Sequence, residues 1–274
     1  MNKRLQFRAG LGLGILFGLP LSGAQESVTT VAPAILRITQ ETVIPGKTAA
    51  LLRNHAEAVR VLQPGLKGRI ALGLVAVTGP DEVWTLDFCA ALADIETDRL
   101  AVDRNPAVRA AVERLDEAGG TLLARRNVQT ATFLKDLSYQ PGFDWAEARF
   151  FDVIVVHVRA GHHPEYLELR RMSLAGHLKG GLDGPLEVFK VNTGTQGLAW
   201  MIVRPLRSLG QHDELRRQGF GEILTPEEDA KMVGLRAASM EYAEERFFRV
   251  EPRISRVPEA WTRRDPEFWS AAAP

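Results

Sequence analysis

The apolar residues of this chain switch repeatedly between a spacing of two and a spacing of three to four. Ala34 to Val43 reads as a strand that closes at Pro45-Gly46. Lys47 to Leu62 reads as a helix: Leu52, Ala56, Val59 and Leu62 recur on one face, with Arg53, Glu57 and Arg60 elsewhere, and Pro64-Gly65 stops it. Arg69 to Val77 and Glu82 to Phe88 are two strands around the tight turn Thr78-Gly79-Pro80-Asp81, an antiparallel hairpin. Ala90 to Ile95 is a short helix. Asn105-Pro106 opens a longer one, since Asn caps the free backbone N–H groups and Pro suits the first helical position. Gly119-Gly120 ends or interrupts that helix, and Val128 to Leu137 is a closing strand.

The second half follows the same order. Phe150 to Val158 is a strand and Pro164 to Leu178 a helix, with Leu167, Leu174 and Leu178 on one face. Leu186 to Val191 and Leu198 to Val203 form a hairpin around Asn192-Thr193-Gly194. Thr225-Pro226-Glu227-Glu228 opens a helix with a capping box, expected to be about two turns longer than its first-half partner. Phe248 to Val257 is the last strand.

Short segments recur in register. Val43-Ile44-Pro45-Gly46-Lys47 returns as Val158-Arg159-Ala160-Gly161-His162, 115 residues on. Trp84 returns as Trp200 and Arg109 as Arg236, at offsets of 116 and 127. A kept order with a slowly growing offset is the mark of a duplicated domain. Each copy reads as strand, helix, strand, strand, helix, strand, the split βαβ arrangement. The expected class is α+β: two ferredoxin-like βαββαβ units, residues 33–138 and 148–257, joined by a linker over Ser138 to Glu147. A tail over 258–274 is expected to wrap back through Trp261, Phe268 and Trp269, because three exposed aromatics on a loose tail would be unusual.

The strand closing in Pro-Gly or Ala-Gly, followed at once by an amphipathic helix, resembles the dimeric α+β barrel superfamily. So does the Trp-bearing second hairpin strand (Trp84, Trp200). The resemblance covers nearly all of the chain beyond the leader, as two copies. It implies two sheets packed face to face as a barrel inside one chain, with helices outside. Proteins of this layout include antibiotic-biosynthesis-type monooxygenases, haem-dependent peroxidases, chlorite-converting enzymes and stress-responsive proteins. The layout alone does not choose among them, and no catalytic motif of any one of them is matched residue by residue.

The N-terminus has the pattern of a secretory leader: Lys3, Arg4 and Arg8, then an uncharged apolar run from Leu11 to Leu21, then Ser22-Gly23-Ala24. Cleavage after Ala24 and a periplasmic or secreted location are expected. The run is shorter than the roughly 18–20 residues that cross a bilayer. Without the leader, 31 basic residues face 34 acidic ones, with no basic block. Nucleic acid is therefore an unsuitable partner, no membrane association is expected after cleavage, and a monomer with pseudo-dimeric halves or a higher homo-oligomer is expected. The one cysteine, Cys89, lies in an apolar stretch and reads as a buried small hydrophobe.

Five of the six histidines fall in the second half. His157 lies on a strand; if its face points inward, it and Arg159 could meet an anion, a haem iron or a substrate oxygen, and otherwise it is a hydrogen-bonded core residue. His162-His163-Pro164-Glu165 reads as a solvated helix start and not a metal site, His177 as a helix-end cation, and His55 as helix packing. Trp84 and Trp200 are read as matching positions that flank a ligand or pack the helix layer. Glu41 and Thr39 are polar strand residues that could face a lumen. The candidate ligand-binding residues are therefore His157, Arg159, Trp84, Trp200 and Glu41, with no metal set and no cofactor assigned, haem being the one cofactor the resemblance admits. The expected function is binding of a small apolar or amphipathic ligand in the barrel. The alternatives are a monooxygenase-like or haem-dependent oxidoreductase using the second-half histidines, and a scaffold that recruits partners.

Overall fold

The computed structural model describes residues 32–182, 184–219 and 223–270. The leader and its cleavage point lie outside these residues. In chain order the strands are β1 (Ile35–Val43), β2 (Ala71–Ala76), β3 (Glu82–Cys89), β4 (Leu123–Phe133), β5 (Phe150–Val158), β6 (Glu187–Thr193), β7 (Leu198–Leu206) and β8 (Met240–Val250). The helices are α1 (Thr48–Leu62), α2 (Ala93–Asp103), α3 (Pro106–Gly120), α4 (His163–Gly180), α5 (Leu209–Gln218), α6 (Pro226–Ser239), α7 (Glu259–Arg264) and α8 (Pro266–Trp269). The eight strands close into an antiparallel barrel in the order β1-β3-β2-β8-β5-β7-β6-β4. Each half supplies a four-stranded sheet, β4-β1-β3-β2 and β8-β5-β7-β6, and the halves meet along the seams β2·β8 and β4·β6. The molecule is an α+β barrel, as the sequence pattern predicts.

The capping signals act where expected. The Asn105 side chain accepts from the N–H groups of Ala107 and Val108 at the start of α3, and Thr225 with Glu228 forms a complete capping box on α6. Three expectations need correction. The closing strands begin earlier than predicted: β4 at Leu123 and β8 at Met240. Helices α3 and α6 are of nearly equal length, 15 and 14 residues, so α6 is not longer by two turns. The offset does not grow to 127: α3 and α6 start 120 residues apart and β4 and β8 117 apart, so Arg109 and Arg236 do not occupy matching places, and α5, at the place of α2, was not foreseen because its sequence is strongly polar with little apolar periodicity.

The two halves match closely. A bulge separates Thr42 from Val43 against β4, and another separates His157 from Val158 against β8, 115 residues on. Gly46 and Gly161, at φ 79° and 84°, make the same left-handed turn into α1 and α4. In the hairpin strands, however, Gln40 pairs with Trp84 while Val155 pairs with Met201. Trp84 thus corresponds to Met201, and Trp200 to Val83. A one-residue slip on a strand turns the side chain to the other face, so the two tryptophans do not occupy matching places.

The barrel interior is filled by side chains. Leu36, Ile38, Leu74, Trp84, Phe151, Phe189 and Phe248 belong to one buried cluster. The linker is no loose connector. Trp145 is wholly buried and packs on Phe88, Phe151 and Phe189, plugging one end of the barrel. The tail covers that plug, as expected: Trp261 and Trp269 are buried, Arg149 stacks on Phe268 at 3.8 Å, and Arg264 pairs with Asp144 at 2.6 Å. A ligand held inside the barrel does not suit this packing.

Two outcomes follow from the seams and the plug. Gly194 (φ +77°) sits where β6 meets β4, and a Cβ there would lie 2.0 Å from the carbonyl oxygen of Val128. Gly194→Ala should lower stability by about 1–3 kcal/mol through overpacking and strain, read as a fall in Tm. Gly197→Ala, at φ +68° with open space around it, should cost less. Glu187, under the plug, accepts from the Trp145 indole at 2.9 Å, and its other oxygen has no donor. Burial pushes its carboxyl from 4.5 up to about 8, against the lowering effect of that indole. Between those values the unfolded chain ionises while the fold keeps the proton, so stability falls as pH rises through this window. Glu187→Gln should remove that loss, on the order of 2 kcal/mol, in denaturant melts compared at pH 5 and pH 9.

Candidate functional site

Helix α4 is positioned by the Gly161 turn and lies on the outer face of β5 and β7, above Val156, Val188, Trp200 and Ile202. Its inward side is unusually polar: Tyr166, Arg170, Ser173 and His177 are buried there beside Leu169. Arg170 is 7% exposed, and its Nε and Nη2 have no acceptor. The Tyr166 hydroxyl and the Trp200 Nε1 are likewise buried without partners, in side chains only 1% exposed. The rings of Tyr166 and Trp200 lie 5.3 Å apart. His163, at the start of α4, brings its ring to 5.9 Å from Trp200 with Nε2 buried and unpaired.

Each of these four residues offers a hydrogen-bond donor, or in the case of His163 either role, to the layer between α4 and the sheet. An unpaired buried guanidinium is costly, and burial accordingly pushes the Arg170 pKa down, with Tyr166 opposing. Burial also raises the Tyr166 phenol to about 12, so it stays a neutral donor. The first half shows what is missing. By the 115-residue offset, Arg170 corresponds to His55 of α1, and His55 has a carboxylate partner: Glu41 Oε2 at 2.6 Å. The residue corresponding to Glu41 is Val156. The second half has a guanidinium on the helix and no carboxylate at the matching place on the strand.

The residues singled out from the sequence separate. Glu41 does not face a lumen. It points outward to α1, pairing with His55 and with Arg126 at 3.6 Å, because odd positions of β1 face the helices. Thr39 shares that face. His157 does face inward, but its ring is stacked on Tyr242 at 4.2 Å near the open end of the barrel. Arg159 lies beyond the bulge, exposed, with Nε donating to the Met240 carbonyl, so the two do not form one site. Trp84 is inside the barrel, donating to Glu82 at 3.0 Å. Trp200 alone lines the α4 layer. His163 is not a merely solvated helix start, whereas His162 is partly exposed as expected. His177 is buried, with Nδ1 2.8 Å from the Ser173 carbonyl, and burial lowers its pKa; it is not a helix-end cation. Tyr166 and Arg170 were missed. Their signal was a Tyr and an Arg four residues apart on the stripe that also carries Leu169, where an amphipathic helix puts apolar side chains.

No family model matches the chain, and no curated protein matches it in sequence. Solved structures do match in fold. An anthrone oxidase-like protein superposes with a TM-score of 0.56 at 12% identity, covering 79% of this chain and 91% of that one. A candidate monooxygenase from Fusobacterium nucleatum subsp. nucleatum gives 0.54 at 11% identity, covering 80% and 93%. At these identities the likeness is one of fold, the dimeric α+β barrel.

Haem is the one cofactor the resemblance admits, so its fit can be tested. Two turns along α4 from Arg170 lies a cavity of about 220 Å³, bounded by His177, Leu182, Arg204 and Leu215. That is below the roughly 300–1,000 Å³ of pockets that hold drug-sized ligands. His157 is covered by Tyr242, and His163 faces the Trp200 indole. As packed, the residues do not fit a haem.

An uncompensated buried charge has a signature in stability. Arg170→Met keeps the length of the side chain and removes the charge, so without ligand it should match or exceed the parent in Tm, by up to about 1–4 kcal/mol. A fall in Tm of several degrees would mean that the guanidinium already has a partner in solution.

Proposed function

We propose that this is an exported protein that binds a small aromatic or amphipathic anion between α4 and the second sheet, and that its barrel arose by tandem duplication of one ferredoxin-like unit. The observation that carries the binding reading is the buried, unpaired guanidinium of Arg170, on a helix packed over a layer where Val156 stands at the place of the first half's Glu41. A carboxylate or phenolate oxygen would take Nε and Nη2 of Arg170 as a two-point donor. The Tyr166 hydroxyl and the Trp200 indole N–H would supply further donors, and the rings of Trp200, Tyr166 and His163 would hold a flat apolar body. The binding place expected inside the barrel thus moves to its outer face. The layer is closed around these side chains, so entry requires α4 or its neighbours to shift.

A second reading has one observation in its favour. The unpaired His163 Nε2 beside the same donors would serve as a base for an acidic phenol, the first step in oxidising an electron-rich aromatic ligand. The fold shared with an anthrone oxidase-like protein makes that reaction worth assaying.

Tryptophan emission, titrated with benzoate, salicylate and 1-naphthol, tests the binding reading. Saturable change is expected with at least one of them, weakened about tenfold or more in Arg170→Met, the loss of a charge-assisted bond. Tyr166→Phe should weaken it less. Binding that Arg170→Met leaves unchanged would refute the reading. Oxygen uptake in the same cuvette, lost in His163→Ala while binding persists, would support the oxidase.

A further inference from the structure

A different cluster lies lower on the outer face of the second sheet, under α5. Asp152 of β5, Glu245 of β8 and His212 of α5 each offer one ligand atom, and these atoms all lie within 4.8 Å of one another. Asp152 has a side chain only 1% exposed; Oδ2 accepts from Arg204 at 2.8 Å, and Oδ1 has no donor. The His212 Nε2 is 3.9 Å from Asp152 Oδ2, and its ring is fixed edge-on to Phe247 at 4.7 Å.

The first half again provides the comparison. By the strand registers, Asp152 corresponds to Arg37, Arg204 to Asp87 and Glu245 to Val128. There Asp87 sits between two cations, Arg37 at 4.0 Å and Arg256 at 3.5 Å, with Asp98 acting on both Asp87 and Arg256. In the second half the charges of this pair are exchanged, and a carboxylate, Glu245, stands where the first half has Val128, close to Asp152 and His212. Two carboxylates drawn together with one cation need a shared proton or a second cation between them.

We propose that Asp152, Glu245 and His212 form a divalent metal site, with Arg204 holding Asp152 in place from behind. One imidazole and two carboxylates suit Zn²⁺ or Mn²⁺ better than the all-oxygen cations. The 4.8 Å span closes to bonds of about 2.1 Å with small side-chain rotations, leaving the remaining positions to water.

The full mature chain, free of any polyhistidine tag and stripped with chelator, would be titrated calorimetrically with Zn²⁺ and separately with Mn²⁺. One equivalent is expected for at least one of the metals, with a rise in Tm. Glu245→Gln and His212→Ala should each weaken it tenfold or more. Glu245 is exposed, so its amide variant keeps the fold and serves as the decisive case. Absence of stoichiometric binding for both metals, or binding that survives both substitutions unchanged, would overturn the site.

Discussion

Closure of the barrel constrains everything else in this molecule. Each four-stranded sheet has two free edges, and an exposed edge is a row of unpaired backbone groups. The seams β2·β8 and β4·β6 remove all four edges at once. Closure in turn fixes which residues face inward, because side chains alternate along every strand. The inward set is bulky enough, with Trp84, Phe151, Phe189 and Phe248, to leave the barrel a core and not a container. The chemistry is therefore pushed to the outer faces, under the helices.

Those outer faces are where the halves part company. Around the first sheet the basic side chains have carboxylate partners: His55 has Glu41, and Arg256 and Arg37 share Asp87. Around the second sheet, Arg170 has no acid, and Asp152 has an acid neighbour, Glu245, with Arg204 and His212 beside it. A barrel built from two similar sheets permits this. The paired half keeps the barrel folded while the other tolerates charges that only a ligand, a proton or a metal would balance. The plug of Trp145 and the tail over it add stability at one end of the barrel.

Much of the site was hidden by a shift of one residue. Trp84 and Trp200 look alike in sequence, 116 apart, whereas the strand register equates Trp84 with Met201. That slip puts one indole in the core and the other over α4. Glu41 was drawn to the lumen by the same uncertainty of face, since a strand buried on both sides shows no alternation to orient it. Arg170 escaped notice because a lone arginine on a helix is ordinarily solvent-facing.

The sequence by itself determined the α+β class, the order of the main elements, the caps of α3 and α6 and the turns at Gly46 and Gly161, because these are set by local spacing and backbone preference. Burial of the tail's tryptophans followed from their apolar area. Tertiary structure alone decided which face of each strand looks inward, that the linker is a plug, and that Tyr166, Arg170 and Trp200 converge while His157 and Arg159 do not. Those outcomes depend on how distant strands pair, and pairing register is a property of the closed barrel, not of any one segment.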